Sequence, residues 1–183
     1  MTESPGAFLA LNNIAQAYAH GAKPLPTQAD YAPVATVICF SVLGRELAIS
    51  LDKLAELLPL QQYTAVPRVK RWMRGIANVR GKLLPVIDFA DYLGGQLQES
   101  TRGQRMLVID SQDIHAGLLV DSIRGIRHFT LNTYKSTVED VPDTLAQYVV
   151  GGFEEPDGNV VPLFEPEFLA LDEAFRDAAI KLN

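Results

Sequence analysis

Ser50-Leu51-Asp52-Lys53 spells S-x-x-K, the spacing at which a lysine can take the proton of a serine nucleophile in penicillin-recognising enzymes. No S-D-N or K-T-G partner accompanies it in the 183 residues, so a chance four-residue match explains it. Cys39 sits inside an apolar run, where a thiol is expected to be buried and inert. His20, His115 and His128 are far apart and lack ligand spacing such as H-x-x-x-H, so no metal site is expected. Gly94-Gly95 and Gly151-Gly152 are not followed by lysine and serine or threonine, which excludes a P-loop. The acidic pairs Glu139-Asp140, Glu154-Glu155 and Asp172-Glu173 read as solvated turns or a helix face. No catalytic constellation is recognisable, so no catalytic residue and no cofactor is expected.

Binding chemistry is the better prospect. Between Leu57 and Ile87 there is no acidic residue, while Arg68, Lys70, Arg71, Arg74, Arg80 and Lys82 are all basic. The formal charge of the whole chain is −6, which leaves −12 outside this segment. A basic patch on an acidic protein favours oriented association, and Arg68, Lys70, Arg71 and Arg74 form a candidate basic docking patch. Trp72 lies within the run, so stacking on single-stranded nucleic acid is an alternative. The acidic total argues for a protein partner and against nucleic acid.

At 183 residues the chain suits one domain or two small subdomains, large enough to bury a core without a staple. Cys39 is the only cysteine, so no intrachain disulfide can form and a reducing compartment is expected. No apolar run reaches the roughly 18 residues of a membrane span, and the N-terminus lacks a basic secretory leader. A cytoplasmic, soluble protein without membrane insertion is the expectation.

The elements that must position these residues are mostly strands. Residues 1–33 read as a helix opened by Ser4-Pro5, with Phe8, Leu11, Ala15 and Tyr18 on one stripe, then a proline-rich linker. The core begins at Val34 with a β-branched run answered by Leu47-Ala48-Ile49, a hairpin. Leu51 to Leu58 allows a strand end or a helical turn, residues 61–66 a strand, and residues 69–73 a short helix. Residues 75–88 form a hairpin around Arg80-Gly81, Gly81 supplying positive φ. A helical turn follows at residues 89–93, then strands at 105–110, 114–120 and 122–129. Residues 130–147 mix loop and a short helix. Strands at 148–153 and 160–164 flank a turn, and a helix opened by Pro166 carries Phe168, Leu171, Phe175 and Ala179 on one face. About ten strands and few helices predict an all-β fold with a few short helices, a barrel or barrel pair.

The hairpin from Gly75 through Asn78, Arg80, Gly81 and Pro85 to Asp88 resembles the G-x-x-N-x-R-G-x-x-x-P-x-x-D pattern of the CheW-like domain family. Residues 117–126, with Gly117, Val120 and Asp121, are similar to that family's G-x-x-V-D stretch. The resemblance covers residues 34–175 and is extended to a domain at 34–180. It implies two intertwined five-stranded SH3-like barrels sharing an apolar core, plus terminal helices. It also implies a non-enzymatic adaptor that couples chemoreceptor cytoplasmic tips to the regulatory domain of a CheA-type histidine kinase, in membrane-bound receptor arrays. Carried over by position, Arg80, Asn78 and Gly81 would shape the docking region, with Glu56, Lys53 and Leu54 close by. A Glu56–Arg80 contact is expected. Lys70 stands where many members have proline, and the leader is long. Both features look most like PilI-like adaptors of type IV pilus (twitching motility) systems, with a flagellar chemotaxis adaptor as the alternative.

Overall fold

The structure, a computed structural model, describes residues 33–111 and 113–179. The expected N-terminal helix and most of its linker lie outside the described residues.

The chain runs through β1 (Val34–Val42), β2 (Arg45–Ser50), a 3-10 turn at Leu51–Lys53, β3 (Leu54–Pro59), β4 (Tyr63–Thr64), β5 (Met73–Val79) and β6 (Lys82–Asp88). Helix α1 (Phe89–Tyr92) precedes β7 (Arg105–Asp110), β8 (His115–Val120) and β9 (Ser122–Thr130). Then come β10 (Tyr134–Lys135), α2 (Asp143–Ala146), β11 (Val149–Glu154), β12 (Val160–Phe164), α3 (Glu167–Leu171) and α4 (Glu173–Arg176).

Two six-stranded sheets result, in the orders β10-β11-β12-β2-β1-β9 and β3-β7-β8-β6-β5-β4. Each holds five full strands and one two-residue edge piece, β10 or β4. The chain leaves the first sheet after β2, builds the whole second sheet, and returns at β9. β12 then closes parallel on β2, Phe164 opposite Ile49, which is what makes the two sheets intertwined.

The alternation along β1 shows why both sheets pack so closely. Ile38, Phe40 and Val42 point into a large cluster that also takes Ile87, Leu107, Ile109 and Leu118 from the second sheet. Val37 and Cys39 point the other way, into a small core with Phe129 and Phe153. The second sheet has its own small core around Leu84, Val86 and Met106. A strand buried on both faces needs the β-branched and aromatic run read from Val34 to Val42, and each buried valine, isoleucine or phenylalanine in it contributes about 1.5–3 kcal/mol.

Three expected elements are corrected. Residues 69–73 are not a helix: Arg68 has φ 61° after Pro67, and Val69 bridges Ala179 while Lys70 N–H donates to the Ala178 carbonyl at 2.8 Å. The strand expected at residues 61–66 shrinks to Tyr63–Thr64. The single C-terminal helix is broken at Asp172 (φ −76°, ψ 116°), whose carboxylate caps the second piece by accepting from Ala174 N–H. A cap residue needs extended backbone, so capping one helix ends the other.

Candidate docking site

The β5–β6 hairpin pairs Val79 with Lys82 and leaves Arg80-Gly81 as the turn. Both turn residues have positive φ, 53° and 83°, the combination a two-residue type I′ connection needs. Left-handed backbone costs a non-glycine residue about 1 kcal/mol, and the turn offsets it locally: Gly81 N–H donates to Asn78 Oδ1 at 2.9 Å. Asn78 and Gly81 therefore shape the turn that presents Arg80.

Arg80 Nη2 donates to Glu56 Oε1 at 2.6 Å. Glu56 stands on β3 beside a bulge in its pairing with β7. The Arg80 side chain is 81% exposed and that of Glu56 23%. The pair borders a groove of about 220 Å³ that Lys82, Asp110 and His115 also line. Asp110 accepts from or pairs with His115 Nδ1 at 3.0 Å and Lys82 Nζ at 3.5 Å. The hydrogen bond with His115, then the charge of Lys82, holds its carboxyl below the usual range. Charges of both signs thus line the groove beside apolar Val79, Leu84 and Val108.

Lys53 and Leu54 are placed differently. Lys53 Nζ lies 2.8 Å from Glu167 Oε1 and 3.2 Å from Glu165 Oε1, and its bond to Glu167 raises its ammonium above the usual value. Leu54 is partly buried against the shared core. Of the six expected docking residues, the fold brings Glu56 to Arg80 over the Asn78–Gly81 turn, and gives Lys53 to the C-terminal segment.

The basic run is largely compensated. Arg71 Nη2 meets Asp91 Oδ1 at 2.6 Å, and Arg74 donates from Nε and Nη2 to Asp88 Oδ2 at 3.1 and 2.5 Å. Asp88 is 2% exposed, raises the Arg74 guanidinium above its usual value, and caps α1 by accepting from Asp91 N–H at 2.9 Å. Lys70 Nζ reaches the Ala174 carbonyl at 3.5 Å, and Arg68 is exposed. The acids missing from residues 57–87 arrive from Glu56, Asp88, Asp91 and Asp110, so Arg68, Lys70, Arg71 and Arg74 do not form one uncompensated patch.

Asp121, in the second patterned segment, is 2% exposed and accepts from the backbone N–H groups of Leu43, Gln98 and Glu99. It clamps loops from both sheets. One constellation escaped sequence reasoning: Tyr92, Tyr148 and Asp172 meet through their side chains. No local spacing marks residues 80 and 24 positions apart. Among the described residues no group of three or more His, Cys, Asp or Glu could hold a metal ion, and no helix is long and apolar enough to cross a membrane.

The family model of the CheW-like domain matches residues 36–173. The chain is 32% identical over 180 residues to Protein PilI of Pseudomonas aeruginosa, covering 98% of this chain and 100% of that one. It is 28% identical over 75 residues to chemotaxis protein CheW of Thermotoga maritima, covering 41% and 50%. The solved scaffolding protein TtCheW from Thermoanaerobacter tengcongensis superposes with a TM-score of 0.64 at 20% identity, over 73% of this chain and 90% of that one. That likeness shows the fold, two small barrels built from the two sheets.

Proposed function

This chain belongs to the CheW-like domain family, and from that premise we propose that it is a non-enzymatic adaptor in a chemosensory system that controls type IV pilus twitching motility. It couples the cytoplasmic tips of chemoreceptors to the regulatory domain of a CheA-type histidine kinase, and works in the cytoplasm against membrane-bound receptor arrays without entering the bilayer. The likeness to PilI over 98% of the chain supports the system. The site reading rests on one observation: an 81% exposed Arg80 directed by its bond to Glu56 at a groove. A solvated cation that is already oriented loses little side-chain entropy on docking.

The nucleic-acid alternative is disfavoured. Trp72 is 9% exposed and stacks on Phe175, so it offers no free face to a base. Among the described residues, four of the six cations in residues 68–82 are held by carboxylates, which leaves too little free charge for a phosphate-tracking groove.

A pull-down from cell extract tests the reading. The wild-type chain is expected to recover a histidine kinase and a chemoreceptor, and Arg80→Glu to lose at least one of them. Recovery of neither by the wild type removes the proposal. Deletion of the gene separates the two systems, since loss of swimming with intact twitching assigns the chain to flagellar chemotaxis.

A further inference from the structure

After β12 the chain does not stop at the first sheet. Residues 165–179 cross to the second and are anchored along the way by several contacts among the described residues. Glu165 and Glu167 hold Lys53. The Asp172 carboxylate accepts from both Tyr92 Oη, at 2.7 Å, and Tyr148 Oη, and the two hydroxyls are 3.0 Å apart. Phe175 lies parallel to Trp72 with ring centroids 5.7 Å apart, and edge-on to Tyr92 at 5.3 Å. Finally Lys70 N–H donates to the Ala178 carbonyl and Val69 bridges Ala179.

The middle anchor joins the sheets. Tyr92 ends α1, directly after β6 of the second sheet; Tyr148 immediately precedes β11 of the first. One carboxylate thus ties a tyrosine from each. A carboxylate that accepts two phenol hydroxyls makes charge-assisted bonds, roughly twice as strong as neutral ones. The strap is nevertheless not welded along its length. A pocket of about 290 Å³ opens between Ala170 and Ala178 of the strap and Met73, Ile87 and Ile114, and the strap's two helices are one turn each, too short to persist unaided.

The first anchor gives the strap a lever. Lys53 ends the 3-10 turn that leads straight into β3, and Glu56 is three residues further on. Restraint at Lys53 is restraint on the strand that orients Arg80.

We propose that residues 165–179 form a latch, keyed at Asp172, that opens as one unit and whose closed position sets the placement of β3 and Glu56. Asp172 is a positioning residue: it touches neither Arg80 nor a partner, and acts through the strap and Lys53. The functional consequence rests on the reading of Glu56 and Arg80 as a docking pair; the mechanical claim does not.

The test uses the full chain. Tyr92→Phe/Tyr148→Phe removes both bonds to Asp172 and leaves its cap on Ala174 intact. Amide hydrogen exchange is expected to accelerate about tenfold in residues 167–176 and in β3 together, with a red shift of emission from Trp72, the only tryptophan. Acceleration confined to the strap, or none, overturns the proposal. If the double variant fails to fold, Lys53→Met reads the same coupling by cutting only the first anchor; faster exchange in β3 with an unchanged strap then overturns it. Arg80→Glu separates the two ideas, because it leaves the anchors of the strap intact, so that exchange in residues 167–176 is unchanged while at least one partner is lost. Partner recovery that survives Arg80→Glu sinks the docking reading and leaves the exchange result to judge the latch.

Discussion

Arg80 donates from Nη2 to Oε1 of Glu56 at 2.6 Å, from a left-handed turn of one hairpin to a strand at the edge of the same sheet. The two residues are 24 positions apart, and nothing between them forces the meeting except the order of strands. The cation keeps most of its surface in water while its direction is set. That combination suits recognition better than stability.

Reversing either charge of the pair is therefore expected to cost stability only about 0.5 kcal/mol, as for other exposed ion pairs, yet to weaken kinase or receptor binding at least tenfold. The swap Glu56→Arg/Arg80→Glu should recover much of the loss. Calorimetric titration of the four proteins checks this by a double-mutant cycle; additive single effects would show the pair is not a unit.

Asp88 behaves in the opposite way. It is 2% exposed, pairs with Arg74 and caps α1. Asp88→Ala strands a half-buried guanidinium and uncaps the helix, at an expected cost of about 3 kcal/mol. Urea unfolding measures it directly. Arg71→Ala, at a 78% exposed side chain, should change the midpoint little.

The two hairpin glycines should respond differently to alanine. At Gly75 a Cβ would come within 2.2 Å of the Thr64 carbonyl oxygen, which is backbone and moves only with its strand. Gly75→Ala is expected to lose about 3 kcal/mol through forced displacement of β4. At Gly81 nothing lies within 4 Å and only φ +83° opposes a side chain, so Gly81→Ala should lose about 1 kcal/mol. Thermal unfolding of both variants ranks them.

Acid should loosen the C-terminal segment. The tyrosine hydroxyls, Tyr148 first, hold the Asp172 carboxyl below its usual 3.8. A group whose folded value is depressed adds stability that is complete above its unfolded value and disappears as pH falls through the folded one. The stability margin of wild type over Asp172→Asn should accordingly be full at neutral pH and close below pH 3.8. The same cluster works in reverse at alkaline pH. Burial, then the bond to Asp172, pushes the Tyr148 phenol up to about 12, so its contribution persists below its ordinary 10 and is lost as pH rises towards 12. Denaturant melts across both ranges provide the check.

Much of the fold was legible in order along the chain. The β1–β2 and β5–β6 hairpins, the turn at Arg80-Gly81, the short helix after Asp88 and the strands from β7 to β9 all lie where runs of β-branched residues and glycine turns place them. The failures share a cause. Residues 69–73 have an acceptable helical composition, but their backbone groups find partners in residues 178–179, more than a hundred positions away. The C-terminal stripe reads as one helix because periodicity does not see a carboxylate called away to two distant tyrosines.

What the sequence determined by itself is local: strand periodicity, the glycine positions, the type I′ turn chemistry and the patterned segments that mark the family. These depend on a residue and its near neighbours, so they are written in order. Which charge meets which was decided only by tertiary structure. Six basic residues in an acid-free stretch looked like an open patch; the fold places Glu56, Asp88, Asp91 and Asp110 against four of them, and gives Lys53 to Glu165 and Glu167. Ion pairing depends on distances of a few ångströms between strands far apart in the chain, and those distances exist only once the two sheets have closed on their shared core.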